Sequence, residues 1–329
     1  MSQTRRIGPF QVAPIGLGCM GFNHAYGTPV PEAQAAAVIE RALERGVTLF
    51  DTAALYGFGL NEELVGKVLR PHRDRIVLAS KGGMVGVDGK RVIDGRPESL
   101  LRHCEDSLRR LGTEAIDLYY LHRWDKAVPV EESMGALSRL VEQGKVRALG
   151  LSEVSAATLA KAQAVHPVAA VQAEYSLWTR NPEIALLEAC RREGVALVAF
   201  SPLGRGVLTG RLRDPAALPA GDIRKAMPRF AASHFPANLE LVDRLAAVAA
   251  EAGCSPAQLA LAWLLERDPA VVPIPGTTRV EHLDELLDTL QLQLPREALQ
   301  EAGRLIGQHS VSGDRYPAGT QAEIDTEQF

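Results

Sequence analysis

The chain has 329 residues, 46% of them hydrophobic and 23% charged, with a formal net charge of −4. That length suits one large α/β domain or two smaller ones, and the composition is that of an ordinary globular protein. A weakly acidic chain with no Lys/Arg cluster is not expected to bind nucleic acid. The absence of any run of about 18 apolar residues predicts no membrane span.

In chain order, the stretch from Met1 to Arg6 leads into no apolar h-region, so no signal peptide is expected. Arg6-Ile7 and Phe10-Gln11-Val12 flank the turn pair Gly8-Pro9 and predict an N-terminal β-hairpin. Eight short apolar runs follow: Ile15–Cys19, Val47–Asp51, Ile76–Lys81, Ile116–His122, Ala148–Ser152, Ala169–Ala173, Ala196–Phe200 and Val271–Pro275. Between them lie stretches with helical period, among them Glu32–Arg45, Pro97–Leu111 and Val130–Gln143. Pro97 suits a first helical position, and Gly144 and Gly194 sit just past helical runs. Eight strands alternating with helices predict an α/β fold of the (β/α)8 TIM-barrel type, with an extra helical segment at the C-terminus. Two longer departures follow the seventh run (Ser201–Phe235) and the eighth (the tail after Leu290). No repeat or linker splits the chain, so residues 1–329 are expected to form one domain. The four cysteines, Cys19, Cys104, Cys190 and Cys254, form no C-x-x-C pair, which fits free thiols in a reducing cytoplasm. The eight histidines include no H-x-x-x-H pair, so no metal site is expected.

Four ionisable residues fall at the ends of the second, third and fourth runs. Asp51 ends the second run and Lys81 the third. His122 ends the fourth, and Tyr56 stands in the loop Asp51-Thr52-Ala53-Ala54-Leu55-Tyr56-Gly57. Polar residues at the C-terminal ends of barrel strands mark the active face of such a fold. Any one of them alone reads better as packing or a structural ion pair; together they suit proton transfer to a carbonyl oxygen. A phenol of ordinary pKa about 10 is a weak donor, and a nearby ammonium lowers that pKa. Asp51 would keep Lys81 charged, His122 would orient the carbonyl, and Tyr56 would serve as general acid.

This set resembles the tetrad of the aldo-keto reductases, and the resemblance runs along nearly the whole chain. Phe50-Asp51-Thr52-Ala53-Ala54-Leu55-Tyr56-Gly57, followed by Asn61-Glu62-Glu63-Leu64-Val65-Gly66, resembles that family's first signature. Asp117-Leu118-Tyr119-Tyr120-Leu121-His122 is similar to its fourth-strand signature. The later strand ends match in order, through Gly150-Leu151-Ser152, Val171-Gln172-Ala173-Glu174-Tyr175-Ser176, Phe200-Ser201-Pro202-Leu203-Gly204 and Ile274-Pro275-Gly276-Thr277-Thr278-Arg279. The resemblance implies NADPH-dependent reduction of a small-molecule aldehyde or ketone to an alcohol. It also implies that Ser152 and Gln172 meet the nicotinamide carboxamide and that Phe200 stacks on the ring. Ser201, Pro202, Leu203, Arg205 and Arg211 would cover the pyrophosphate. Gly276, Thr277, Thr278 and Arg279 would form a phosphate site at a helix start, where free N–H groups and the helix dipole favour an anion. Arg279 offers a planar fork suited to a 2′-phosphate.

Two positions depart from the family's pattern. Glu153 stands where Asn is frequent, and a carboxylate accepts from the carboxamide NH2 but cannot donate to its oxygen. Glu285-Leu286 stands where a Glu-Asn pair approaches the adenine, leaving Glu285 as the remaining polar contact. The tail Gly313-Asp314-Arg315-Tyr316-Pro317 is similar to the ends of bacterial-type members. Met20, Phe22, Trp124 and Tyr175 flank the tetrad in sequence and are the expected substrate-pocket walls. Gly16-Leu17-Gly18-Cys19-Met20-Gly21 fits G-x-G-x-x-G, but no helix opens at its third glycine, so it is not read as a dinucleotide fingerprint. Two rival readings are a nucleotide-binding regulatory subunit without turnover and a phosphate-handling barrel isomerase or lyase. The first would show a lost tetrad residue, and the second would not require the Asp-Tyr-Lys-His set.

Overall fold

The computed structural model describes residues 4–329; Met1–Gln3, part of the stretch read for a signal peptide, lie outside the described residues. A hairpin of β1 (Arg5–Ile7) and β2 (Phe10–Val12) comes first, as the Gly8-Pro9 turn predicts. Then come β3 (Leu17–Gly18), β4 (Leu49–Asp51) and β5 (Val77–Gly82). An antiparallel hairpin, β6 (Met84–Val87) and β7 (Lys90–Ile93), interrupts the series. The barrel resumes with β8 (Ile116–Leu121), β9 (Val146–Ser152), β10 (Val168–Glu174), β11 (Ala196–Phe200) and β12 (Val271–Pro273). The eight barrel strands lie side by side in the order β12-β11-β10-β9-β8-β5-β4-β3, every pair parallel. This is the (β/α)8 barrel that the eight apolar runs predict.

Two backbone hydrogen bonds join the ends of that order: Gly16 N donates to Pro273 O and Gly18 N to Pro275 O, each at 3.0 Å. The strands approach so closely there that a Cβ on Gly18 would lie 2.9 Å from Ile274 O, and one on Gly276 3.0 Å from Gly18 O. The first two glycines of the G-x-G-x-x-G look-alike therefore serve barrel closure. A side chain at Gly18 would push the seam apart.

The helices follow the predicted pattern. They are α1 (Glu32–Glu44), α2 (Leu60–Leu69), α3 (Pro97–Leu111), α4 (Val130–Glu142), α5 (Ala156–Gln163), α6 (Leu186–Glu193), α7 (Phe235–Glu251), α8 (Pro256–Arg267) and α9 (Val280–Asp288). The C-terminal segment adds α10 (Arg296–Leu305) and the single turn α11 (Ala318–Gln321). Pro97 opens α3, where its missing N–H has no helical partner to lose, and Gly194 ends α6 in the left-handed conformation. Among the described residues no single helix is long and apolar enough to cross a membrane.

The core divides into an inner and an outer layer. Strands β8 and β10 are buried at every residue because helices cover one face and the barrel interior the other. The inner layer contains Leu49, Val77, Ala79, Leu118, Tyr120, Ala148, Ala170, Val198 and Val272. Ile7 and Val12 belong to this same layer, so the N-terminal hairpin closes the barrel floor. The opposite end, where the strands terminate, is left for the site. Over it runs the long segment after β11, which meets the loop after β3: Ile223 N donates to Ala25 O at 2.9 Å, and Tyr26 bridges to Asp222.

Candidate active site

A cavity of about 840 Å³ occupies the C-terminal mouth of the barrel. Asp51, Tyr56 and His122 stand on its wall, and Lys81 lies directly behind them, fully buried. The Lys81 ammonium donates to Asp51 Oδ1, to Thr52 O at 2.9 Å and to the Tyr56 hydroxyl at 3.3 Å. Gln172 Nε2 donates to the other oxygen of Asp51 at 2.7 Å, which fixes the carboxylate from a second side. The Tyr56 and His122 rings meet edge to face, with centroids 5.7 Å apart. The four residues separated in the chain thus form one contiguous group.

The loop that carries Tyr56 is braced from below. The Thr52 hydroxyl donates to Asn61 Oδ1 at 2.6 Å, and Asn61 Nδ2 donates to Cys19 O at 2.9 Å. Glu62 accepts from Ser80 on β5 at 2.5 Å and from Arg110 on α3 at 2.6 Å. The Asn61-Glu62 part of the first signature therefore positions the tetrad and does not itself face the cavity. Buried polar side chains in such brackets are satisfied, as burial requires.

The electrostatics differ from the sequence expectation at one point. Burial raises the Tyr56 pKa above that of an ordinary phenol, and the pull of Lys81 in the other direction does not overcome it. Desolvation outweighs the ammonium at 3.3 Å because the hydroxyl has lost its water. Burial also opposes the Lys81 charge, but Asp51 and Tyr56 outweigh it and raise its pKa. Burial and then the Arg123 and Lys81 charges push the His122 imidazole well below its usual pKa. The site thus presents a protonated phenol, a charged ammonium and a neutral imidazole whose Nδ1 is buried without a partner.

The expected cofactor residues fall into two sets. Ser152, Gln172, Phe200, Ser201, Pro202 and Leu203 face the cavity, as do Arg205, Arg211, Gly276, Thr277 and Thr278. Ser201 (φ 47°), Gly204 (φ 55°), Arg205 (φ 57°) and Gly206 (φ 90°) are all left-handed, so this loop turns sharply over the mouth. For Ser201 and Arg205 that conformation costs energy and recurs at ligand-holding loops. Arg279 and Glu285 lie outside the cavity wall. Arg279 is exposed at the start of α9, and Glu285 holds Arg211 in a 2.5 Å ion pair at the rim.

Glu153 is displaced from its expected role. Its backbone is left-handed (φ 58°) and its side chain is turned away from the cavity into a buried network. It accepts from Arg315 and, through Oε1, from Glu174 N at 3.0 Å. Arg315 Nε also donates to Glu174 at 2.9 Å, and Arg205 reaches Glu174 at 3.4 Å. Burial works against the Glu174 carboxylate, yet Arg315, Arg205 and Arg229 outweigh it and bring its pKa down to about 2. The departure at Glu153 anchors the C-terminal tail instead of contacting the carboxamide.

Of the four expected pocket walls, Met20 alone lines the cavity. Phe22 sits on the 3-10 turn Met20–Phe22 with its ring fully buried in the outer core. Tyr175 is fully buried against Trp263 of α8 at 6.0 Å, and its hydroxyl donates to Glu183 at 2.8 Å. Trp124 packs on the outer core with its indole N–H given to Val128 O at 2.8 Å, which holds the ring away from the mouth. In their place the wall near Tyr56 is formed by Leu55 and Met84, with His24 stacked on the phenol at 5.6 Å. Arg91, Arg123 and Tyr316 also face the cavity. Met84 and Arg91 arrive on the β6–β7 hairpin, whose Asp88-Gly89 turn has positive φ at both residues (50° and 74°). An Asp-Gly pair of this kind is a strong hairpin signal, and it was available in the sequence.

The mouth as a whole fits a dinucleotide. It encloses about 840 Å³, Arg205 and Arg211 stand on its wall, and Gly276–Thr278, which lead into the N-terminus of α9, line it.

Comparison with known proteins agrees with this geometry. The family model described as Aldo/keto reductase family matches residues 14–305. An aldo-keto reductase of Schizosaccharomyces pombe, yakc, whose name carries NADP(+), is 41% identical over 328 residues, covering 98% of this chain and 96% of the relative. The structure of a glycerol dehydrogenase from Gluconobacter oxydans matches with a TM-score of 0.85 at 30% identity, over 95% of this chain and 98% of that one. An aldo-keto reductase from Klebsiella pneumoniae in complex with NADPH matches with a TM-score of 0.71 at 30% identity, over 95% and 99% of the two chains.

Proposed function

Since the chain belongs to the aldo/keto reductase family, with NADP as its cofactor, we propose that it reduces an aldehyde or ketone to the alcohol with Tyr56 as general acid. The observation that carries this reading is the Asp51–Lys81–Tyr56 chain of contacts, ending 3.3 Å from the phenolic oxygen at the cavity wall. Bound in the mouth, NADPH would supply the hydride. Ser152, Gln172 and Phe200 would hold the nicotinamide end, and the 201–211 loop with Gly276–Arg279 would hold the phosphates.

This chain's own residues manage the proton. As negative charge grows on the carbonyl oxygen, the Tyr56 hydroxyl donates to it. The phenolate left behind is stabilised by the Lys81 ammonium, which Asp51 keeps charged and in place. The raised Tyr56 pKa keeps the donor protonated through neutral pH, the form that reduction needs. His122, held neutral, offers the carbonyl oxygen an orienting hydrogen bond without competing as an acid. Apolar Leu55, Met20 and Met84 around Tyr56 limit water at the reacting atoms. The four unpaired cysteines fit a cytoplasmic enzyme.

The test is a turnover screen of aldehydes, ketones and quinones followed by the loss of NADPH absorbance, run in parallel with Tyr56→Phe. Turnover in the native enzyme that collapses in the variant supports the reading. No turnover across the panel, or equal turnover in the variant, defeats it.

A further inference from the structure

Five arginines face the cavity, and four of them have carboxylate partners. Arg91 pairs with Glu323 at 2.5 Å, Arg205 with Glu174 at 3.4 Å, Arg211 with Glu285 at 2.5 Å and Arg224 with Asp222 at 2.7 Å. Arg123 has none among the described residues. It is only 8% exposed, yet its Nη1 meets just two neutral oxygens, His122 O at 2.7 Å and Ser152 Oγ at 3.3 Å. Its Nε is buried with no partner, and Nη2 makes no hydrogen bond among the described residues. A guanidinium out of water without an anion is costly, and an unsatisfied buried donor adds to the cost.

The unused atoms are informative. Nε and Nη2 form the side edge of the guanidinium, the fork that takes both oxygens of a carboxylate or two of a phosphate. Arg123 lines the same cavity as Tyr56 and His122, and its Nη1 is held by His122 O and Ser152 Oγ, so the guanidinium stands beside the reacting corner. The phosphate-holding loops follow β11 and β12, three and four strands further round the barrel. Arg123 is therefore on the wrong side to be paired by the cofactor's phosphates. Its charge is felt at both proton-handling groups, drawing Tyr56 down and His122 down.

Building on the reductase reading, we propose that Arg123 selects carbonyl substrates that carry an oxyanion, a carboxylate or a phosphate, close to the reacting carbonyl. The anion completes the Nε/Nη2 fork and fixes the carbonyl oxygen toward Tyr56 and His122. The effect falls on KM more than on kcat, because the fork engages the substrate equally before and during proton transfer.

The experiment compares kcat/KM for a short aldehyde acid, its methyl ester and the corresponding aldehyde phosphate, in the native enzyme, Arg123→Met and Arg123→Lys. One charged hydrogen-bonded pair predicts an acid-over-ester preference of roughly ten- to hundredfold. The preference should collapse toward unity in Arg123→Met and return in part in Arg123→Lys. The phosphate arm distinguishes which oxyanion fits better. A native enzyme that treats acid and ester alike overturns the proposal, as does an Arg123→Met variant that lowers both by one common factor. Calorimetric binding of the saturated acid and its amide to the enzyme with NADP+ is scored without turnover. Tighter binding of the acid supports the anion fork and equal binding overturns it, whatever becomes of the reductase reading. Ester turnover without acid preference leaves the reductase reading standing and removes this one.

Discussion

The tetrad corner and the substrate wall share one cavity but are built differently. Asp51, Lys81 and His122 stand at or just past the ends of β4, β5 and β8, neighbouring strands whose register is fixed by ladder hydrogen bonds. The wall comes from insertions: the β6–β7 hairpin, the 201–235 segment, and the tail that brings Tyr316 to the mouth. On the proposed reading, chemistry sits on rigid strand ends, and selectivity on segments that can change without moving it.

The sharpest break of that contrast is inside the rigid corner. Tyr56→Phe removes the donor and keeps the ring, and should lower kcat by roughly 10²–10⁴-fold while NADPH affinity, read by fluorescence titration, holds. Lys81→Met should do likewise. It should also move the alkaline rise of alcohol oxidation to higher pH, because Lys81 pulls the raised Tyr56 pKa downward. An unchanged pH profile in Lys81→Met would separate the ammonium from the phenol.

The next effect probes how the tail is tied to the strand ends. Arg315→Met strands the buried Glu153 carboxylate, leaves Glu174 with only the more distant Arg205 as ion partner, and should destabilise the protein by about 3–5 kcal/mol. The folded-state pKa of Glu174 lies below its ordinary 4.5, at about 2. Its contribution is therefore fully present above about pH 4.5 and is lost as the pH falls toward 2. Urea titrations from pH 7 downward should show native and variant stabilities converging below pH 4.5. A gap that does not depend on pH would point to lost packing.

Smaller effects separate the cofactor rim from the substrate wall. Arg279→Ala should weaken NADPH by roughly 1.5–3 kcal/mol and leave NADH nearly untouched, since NADH lacks the 2′-phosphate. Equal losses for both would make Arg279 a structural residue. On the wall, Met84→Ala should reorder a series of aldehydes by bulk, with roughly 1–3 kcal/mol of discrimination at stake. Trp124→Ala, whose indole is tied to Val128, should lower kcat/KM by one common factor or not at all.

The same contrast explains what the sequence could show. All eight barrel strands and helices such as α3, with its Pro97 start and Leu111 end, follow from local apolar patterning. The tetrad was legible because a strand end fixes where its residue points. The wall was not, because a loop side chain is aimed by contacts distant in the chain. Trp124, two residues after His122, turns outward onto Val128, and Tyr175, just past β10, turns outward onto Trp263. Glu153 looked like a cofactor residue until Arg315, 162 positions away, captured it. The β6–β7 hairpin carried a local signal in Asp88-Gly89, but its interruption of the βα rhythm left no room for it in the barrel pattern.

The glycine seam between β3 and β12 has a consequence for how the enzyme comes into being. Gly16 pairs with Pro273 and Gly18 with Pro275, so more than three quarters of the chain lies between the two halves of the last ladder. Joining such remote segments is slow, because the entropy of closing the loop is spent before any contact rewards it. During synthesis the sheet must wait, open along one edge, until residue 275 has left the ribosome. The segment Gly276–Arg279, proposed above to hold the phosphates, begins at the very next residue, so it is made only after the last ladder residue. A cofactor held there would favour the closed ring and hold it closed by mass action.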